Sequence, residues 1–224
     1  MNTRPAWGVL FFGALVVAGL LVSPVWLPLF QDYIEVEQNV LPFPDAFYEL
    51  PPEAQDAYLD LYATSQQMAI DLVAARLSED VDVEEPNLPA IDPNPQLVKA
   101  LLSGNFVRLD AMRYASGSAT IYKLSDGRTI VRLENLEALN GPDMRVLLTA
   151  HPQPKTQEEL DQVAQYQIDL GELKGNIGNQ NYEITDPAFN VENYTNGSVV
   201  LYSARYELIF SFAPLAPPEG EAAP

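Results

Sequence analysis

From Lys99 onward, apolar side chains recur at every second position in short runs that are separated by turn sequences. A period of two is typical of a β-strand with one buried and one exposed face. Asp126-Gly127 between two such runs indicates a hairpin, because glycine reaches the positive φ that a tight turn requires. The number of runs predicts an all-β outer domain over 99–215, an antiparallel sandwich or barrel of about eight strands.

Each run that we assign to a strand is short. The assignments are 104–110, 119–125, 128–134, 143–150, 168–170, 182–184, 199–202 and 206–212. A short helix is predicted over 158–166. The region exceeds a hundred residues, which is long enough to bury a core of its own.

The N-terminus carries an uncharged apolar stretch from Ala6 to Phe30. About twenty residues rising ~1.5 Å each span the ~30 Å hydrocarbon core of a bilayer. Arg4 precedes the stretch and acids follow it, so the positive-inside bias places the N-terminus in the cytoplasm and the C-terminal domain outside. We predict a single-pass signal-anchor over 1–30 in the cell membrane. The alternative is a cleaved signal peptide, although its apolar run usually has ~7–15 residues.

Three segments are predicted between the anchor and the β domain. Residues 31–50 are acidic and contain prolines, which indicates an extended stalk. Residues 51–78 place apolar or small side chains at four-three spacing, which predicts one long helix or a hairpin of two. Residues 79–98 are rich in acids and prolines and are predicted to be a linker. A disordered tail is predicted over 216–224.

The charge balance excludes one class of partner. The chain has 31 Asp and Glu against 12 Lys and Arg, a net charge of −19. Such a surface repels phosphates, so we predict no nucleic-acid partner. There is no cysteine, which removes disulfides, thiolate nucleophiles and thiol redox chemistry. The single histidine, His151, is interpreted as a loop residue, and we predict no catalytic residue, no metal site and no cofactor.

Two motifs rich in turn residues lie in the last third of the chain. Gly141-Pro142-Asp143 predicts a turn into a strand, where Asp143 binds backbone N–H groups or, alternatively, faces a ligand. The second motif, LKGNIGNQNY, covers 173–182. Its amides either bind backbone groups that no sheet partner reaches or form a polar binding rim, with calcium as one candidate ligand.

The order of these motifs resembles the DM-thirteen domain family, over about 101–215. The resemblance implies a small all-β extracellular domain for which a role in electron transfer is proposed. The family-motif positions in this chain are Gly141, Pro142, Asp143, Leu173, Lys174, Gly175, Asn176, Gly178, Gln180, Asn181, Tyr182 and Ser203.

Ser203 stands where the resemblance implies a cysteine. A hydroxyl cannot cycle between thiol, sulfenate and disulfide, so a redox role here requires a bound cofactor. If this strand position is the thiol site of the family, Ser203→Cys should be tolerated.

We therefore predict a membrane-anchored extracytoplasmic binding or interaction module that is non-catalytic. Its partners are the membrane, through one N-terminal helix, and an extracytoplasmic protein or ligand that the sequence does not identify. The alternative is an electron-transfer or redox-associated domain that uses a bound cofactor rather than a thiol. A third hypothesis, a hydrolase using clustered carboxylates, has no motif to support it.

Overall fold

The computed structural model of this protein describes residues 41–92 and 94–218. All described helices and strands follow Phe43, where the second of two units begins. The anchor predicted over 1–30 lies outside the described residues. Within the described residues, no helix combines the length and the apolar character that a membrane crossing requires.

Two consecutive α-helices, α1 (Pro52–Thr64) and α2 (Gln66–Arg76), lie near the start of the described part of the chain. Proline at the start of α1 loses no hydrogen bond, because the first N–H groups of a helix have no partner within it. At Ser65 the backbone leaves the helical region, with φ −147° and ψ 84°. The segment 51–78 therefore forms two helices rather than one.

An aromatic cluster lies just before α1, inside the segment that the sequence predicts to be a stalk (31–50). A 3₁₀-helix over Asp45–Glu49 buries Phe47 completely. The ring centroids of Phe43 and Tyr58 lie 4.5 and 6.4 Å from that of Phe47. The second half of the predicted stalk therefore folds against α1 instead of extending from it.

The described residues contain nine strands in two sheets that stack as a sandwich. In chain order the strands are β1 (Asp82–Glu84), β2 (Lys99–Asn105), β3 (Ala115–Lys123), β4 (Thr129–Ala138), β5 (Met144–Thr149), β6 (Gln167–Glu172), β7 (Ile177–Glu183), β8 (Ser198–Ser203) and β9 (Leu208–Pro214). The sheet orders are β1-β7-β4-β3-β2 and β6-β5-β8-β9. The pairing of β1 with β7 is parallel and the others are antiparallel. The predicted sandwich is confirmed, and the alternative of a closed barrel is wrong.

The segment predicted to be a linker, 79–98, covers the first sheet. Its strand β1 extends that sheet, and the short helix α3 (Leu88–Ile91) follows. Leu88 is fully buried against Ile130 of β4. Because this segment covers the outer face, β4 is buried at five successive positions, 129–133, on both of its faces.

The outer face of the second sheet is covered by α4 (Gln157–Asp161). Thr156 and Glu159 form a capping box, in which each side chain accepts a hydrogen bond from the backbone N–H of the other. Leu160 packs into a buried cluster on this face. A short helix thus forms where the sequence predicts one.

The largest differences from the predicted strand boundaries, five residues each, concern two strands. A strand is predicted over 104–110, but β2 ends at Asn105 and the apolar residues that follow lie in a loop over 106–114. That loop runs beside β9, where the N–H of Val107 donates to the carbonyl of Phe212 (3.0 Å). A strand is also predicted over 182–184, whereas β7 begins earlier because its polar side chains bind the neighbouring β1 segment.

Candidate functional site

Gly141-Pro142-Asp143, the GPD turn, leads from β4 into β5. A side chain at Gly141 would collide with the ring of Phe210, so glycine is required for this close approach. Asp143 has a positive φ of 50°, and its carbonyl accepts a hydrogen bond from the N–H of Ala204 (3.0 Å). The motif therefore forms the predicted turn, and the carboxylate of Asp143 is exposed to solvent.

Ser203 lies against this turn. It pairs with Met144 across β8 and β5, and none of its surface is exposed. Its hydroxyl donates to the carbonyl of Pro142 at 2.6 Å. The position at which the resemblance implies a cysteine is therefore an internal support of the GPD turn, closed to solvent.

The second motif turns between β6 and β7 around one fully buried amide, that of Gln180. The Oε1 atom of Gln180 accepts hydrogen bonds from the Lys174 N–H (3.2 Å) and from the Tyr182 hydroxyl (2.7 Å). Its Nε2 atom donates to the carbonyl of Gly175 (2.6 Å). Burial raises the pKa of Tyr182 to about 12, so the phenol stays protonated and remains a donor.

Amides of the same motif also hold the β1 segment. Asn176 is buried; its Oδ1 accepts from the N–H of Val81 (2.7 Å) and its Nδ2 donates to the carboxylate of Asp80 (2.7 Å). The carboxylate of Glu85 accepts from the backbone N–H of Asn181 (2.5 Å). These amides bind backbone and carboxylate groups that are distant in sequence, as one of the two interpretations of the motif predicts.

The GPD turn and the turn over 173–176 face each other across a groove of about 340 Å³, which we call the motif groove. Six of the predicted motif positions line it: Gly141, Asp143, Leu173, Lys174, Gly175 and Asn176. The other six are not part of the lining: Pro142, Gly178, Gln180, Asn181, Tyr182 and Ser203. The hydrogen bonds described above show that several of these support the two turns from behind.

The charges at the motif groove are unevenly compensated. Asp143 and Glu172 are exposed carboxylates that line it. The ammonium group of Lys174 is held by the carboxylate of Glu85 (2.7 Å) and by the carbonyl of Asn181 (2.7 Å). Lys174 is already paired, and the nearby Arg145 is ion-paired with Asp169 while it also feels the charges of Asp143 and Glu172. The lining of the groove therefore presents two carboxylates together with amide and backbone groups.

Val81, which also lines the motif groove, was not found from the sequence. It lies in the segment whose acids and prolines indicate a linker. Val81 and Val83 alternate with Asp80, Asp82 and Glu84, which is the period-two signal that could have indicated a strand. The acidic composition of the segment masks this short alternation.

Across the described residues, no group of three or more histidine, aspartate or glutamate side chains is arranged to hold a metal ion. His151 lies in the loop after β5, away from the lining of the motif groove. Its Nδ1 atom accepts a hydrogen bond from the N–H of Gln153 (3.3 Å). The imidazole ring therefore stabilises the loop that contains it.

Comparison with known proteins gives a family match and distant structural matches. Residues 106–215 match the sequence model of the family described as Electron transfer DM13, which confirms the resemblance to the DM-thirteen family. A mutant of Candida albicans superoxide dismutase 5 matches with 14% identity and a TM-score of 0.39, over 56% of this chain and 97% of that chain. The copper(II) form of that enzyme matches with 12% identity and a TM-score of 0.39, over 55% of this chain and 95% of that chain. No curated protein matches this chain.

Proposed function

Residues 106–215 are a DM13 domain, and from this premise we propose that the protein is a membrane-anchored, extracytoplasmic binding module without catalytic activity. One observation carries the proposal. Two family motifs that are separate in the sequence meet across one open groove, and six of their residues line it. A concave site with a few convergent polar groups is the usual form of a ligand-binding site.

The charges of the motif groove indicate what it binds. The exposed carboxylates of Asp143 and Glu172 face the groove, while Lys174 is neutralised by Glu85. The amide of Asn176 is already engaged with the β1 segment. We therefore infer a ligand that presents a positive charge, such as a lysine or arginine side chain of an extracytoplasmic partner protein.

The membrane location rests on the sequence. The uncharged stretch from Ala6 to Phe30 and the basic residue Arg4 support an uncleaved anchor with the DM13 domain outside the cytoplasm. The mass of the protein extracted from membranes should equal the 24.8 kDa of the full chain. A mass that lacks roughly the first two dozen residues would overturn the anchor.

The binding role is tested by crosslinking in native membranes. A photoreactive amino acid at Glu172 should capture a defined partner, whereas the same group at Leu97, which is 61% exposed and outside the groove, should not. Asp143→Lys should abolish the adduct at Glu172, because it reverses the charge that attracts the ligand. Equal capture at both positions, or capture that Asp143→Lys leaves unchanged, would overturn the proposal.

A second candidate is electron transfer, which the description of the family favours. The chain has no cysteine, so a bound group would have to carry the electrons. The side chains that line the motif groove offer carboxylates, amides and the thioether of Met144. A donor set of this kind, dominated by oxygen, suits hard cations and does not fit haem or copper. A stoichiometric haem, flavin or copper absorbance in the purified protein would favour this candidate and overturn the binding module.

A further inference from the structure

A second groove lies at the opposite end of the second sheet. The pairings of β5, β8 and β9 put Met144 and Ser203 at one end, next to the motif groove. They put Thr149 and Pro214 at the other end. There, a groove of about 330 Å³ opens between the loop over 106–114, the loop after β5 and the end of β9. The two grooves are therefore separate sites.

This second groove, which we call the basic groove, is lined by three cationic side chains: Arg108, Arg113 and Lys155. The chain has 12 Lys and Arg against 31 Asp and Glu. No carboxylate is among the described residues that line the groove. In a protein with a net charge of −19, this concavity gathers three of the 12 Lys and Arg side chains into one lining.

The two arginines are held in position by groups outside the lining. The Nε atom of Arg113 donates to Asp110 (2.7 Å), and its Nη1 atom donates to the carbonyl of Ile209 (3.5 Å). Arg108 pairs with Glu53 (2.8 Å), and both side chains are more than half exposed. A pair this exposed is weak, so an incoming anion can replace Glu53.

Lys155 differs from the two arginines. Among the described residues, its ammonium group has no hydrogen-bond or ion-pair partner. Its charge helps to lower the pKa of Glu159, and a ligand can reach the ammonium group without breaking a hydrogen bond or an ion pair.

An apolar wall lies beside these cations. Val107 is 39% exposed, and Leu109 packs against the buried cluster that contains Phe212. Pro214 completes this side of the groove. A surface that joins positive charge to apolar side chains matches a ligand with an anionic head and an apolar body.

We propose that the basic groove binds a small amphiphilic carboxylate. The planar guanidinium group of Arg108 can donate two parallel hydrogen bonds to a carboxylate that replaces Glu53. Arg113, whose Nε and Nη2 atoms hold Asp110, and Lys155 add positive charge beside it. The apolar body lies on Val107 and Leu109. Ligand pockets range over ~300–1,000 Å³, so a groove of about 330 Å³ limits this body to one ring or a short chain.

The proposal is tested by calorimetric titration of the full chain in neutral detergent. The probes are 3-phenylpropionate, its uncharged analogue 3-phenylpropionamide, and inorganic phosphate. We expect phenylpropionate to bind roughly tenfold more tightly than the amide, because the amide loses the charge-assisted hydrogen bonds. Phosphate should bind more weakly than phenylpropionate, because it has no apolar body. Equal affinity for the acid and the amide, or tighter binding of phosphate, would overturn the proposal.

Matched variants locate the site. Lys155→Gln should weaken phenylpropionate binding by roughly tenfold and shift the urea midpoint little, because its ammonium group forms no hydrogen bond or ion pair with the described residues and acts on Glu159 through its charge alone. Lys123→Gln removes the same charge outside the basic groove and should leave binding unchanged. Equal weakening by both variants would show that net charge, and not this groove, attracts the probe. Unchanged binding in Lys155→Gln would place the probe elsewhere.

Discussion

At the scale of single residues, Ser203 carries an oxygen where cysteine would carry a sulfur, and this one atom removes thiol redox chemistry from the position. Its hydroxyl is fully buried and donates to the carbonyl of Pro142 at 2.6 Å. A thiol at this position would lie in the same closed space. Burial in apolar surroundings raises the pKa of a thiol and blocks reagents, so such a thiol would be inert while β8 stays folded.

We expect Ser203→Cys to fold and to conceal its thiol. In the native protein a thiol reagent such as DTNB should modify it far more slowly than Leu97→Cys, a control at a position that is 61% exposed. Both thiols should react rapidly in urea. Equal native rates would contradict the buried assignment. Failure to fold would show that the alignment that places the family cysteine at this strand position is wrong.

Asp92 is a second residue whose buried position has a measurable consequence. Its carboxylate accepts hydrogen bonds from the backbone N–H and the hydroxyl of Ser125 (2.8 and 2.5 Å) and from the N–H of Asn94 (2.6 Å). Burial raises the pKa of Asp92, but these hydrogen bonds outweigh burial and hold the pKa below its usual 3.8. The charged form is therefore favoured by the fold.

The depressed pKa of Asp92 predicts an acid-sensitive contribution to stability. A group whose pKa is lower in the folded state stabilises the fold above its unfolded pKa, and this stabilisation is lost as the pH falls through the folded pKa. Asp92→Asn should therefore unfold at lower urea than the wild type at pH 7, with a smaller difference at pH 2.5. The exposed Asp60→Asn serves as the control. Identical urea midpoints for Asp92→Asn and the wild type at both pH values would contradict this role.

At the scale of elements, the docking of β1 onto β7 requires glycine at two positions, Gly175 and Gly178. Gly178 has a φ of 100°, and a side chain there would collide with the carbonyl of Val83 and lie 2.7 Å from the Oδ1 of Asp82. Gly171 has a φ of 112° but open space around it. Alanine at Gly171 would cost only backbone strain, whereas alanine at Gly178 would cost the same strain and also collide with β1.

We expect Gly178→Ala to cost more stability than Gly171→Ala. Gly171→Ala, the control, should lower the free energy of unfolding by about 1 kcal/mol or more, because alanine is strained at positive φ. Gly178→Ala adds the displacement of β1, so residues 81–85 should exchange their amide hydrogens faster as well. Urea unfolding and hydrogen–deuterium exchange measure the two effects. Equal losses in both variants, without faster exchange in 81–85, would contradict the role of the glycine in holding β1.

The elements that the sequence predicts correctly have local signals. The hairpin at Asp126-Gly127 forms, with Gly127 at φ 95°, because the turn chemistry lies within two residues. Strand β7 lacks such a signal. Asn179 and Asn181 are typical of a loop, and the groups that pair with them, such as Glu84, lie 95 residues away. A polar strand that is satisfied by a distant segment cannot be recognised from its own residues.

The same limit applies to the two grooves. The resemblance to a family identifies the residues of the GPD turn and of 173–176, but their meeting across the motif groove depends on how the two sheets stack. The basic groove takes Arg108 and Arg113 from one loop and Lys155 from another. The first part of the loop over 106–114, residues 106–110, is predicted to be strand, and Arg113 lies beyond the predicted strand, so the two arginines could not be brought together before the fold was known.

At the scale of the whole molecule, the excess of acidic residues destabilises the folded state. The chain carries 31 acids and 12 Lys and Arg, and seven of these cations form ion pairs among the described residues. Most of these pairs are partly exposed to solvent, and ion pairs at a protein surface contribute about 0–1 kcal/mol each. The unpaired acids repel one another, which destabilises the compact state.

We therefore expect salt to stabilise the full chain in neutral detergent. Raising NaCl from about 0.01 to about 0.15 M shortens the Debye length from about 30 to about 8 Å, which screens distant repulsion more than contact pairs. The urea midpoint should rise. The triple variant Glu49→Gln, Asp60→Asn, Glu137→Gln reduces the net charge from −19 to −16, so it should start higher and rise less. A urea midpoint that falls with salt would mean that the ion pairs stabilise the fold by more than the repulsion destabilises it. The acidic side chains would then be placed mainly where they attract a cation.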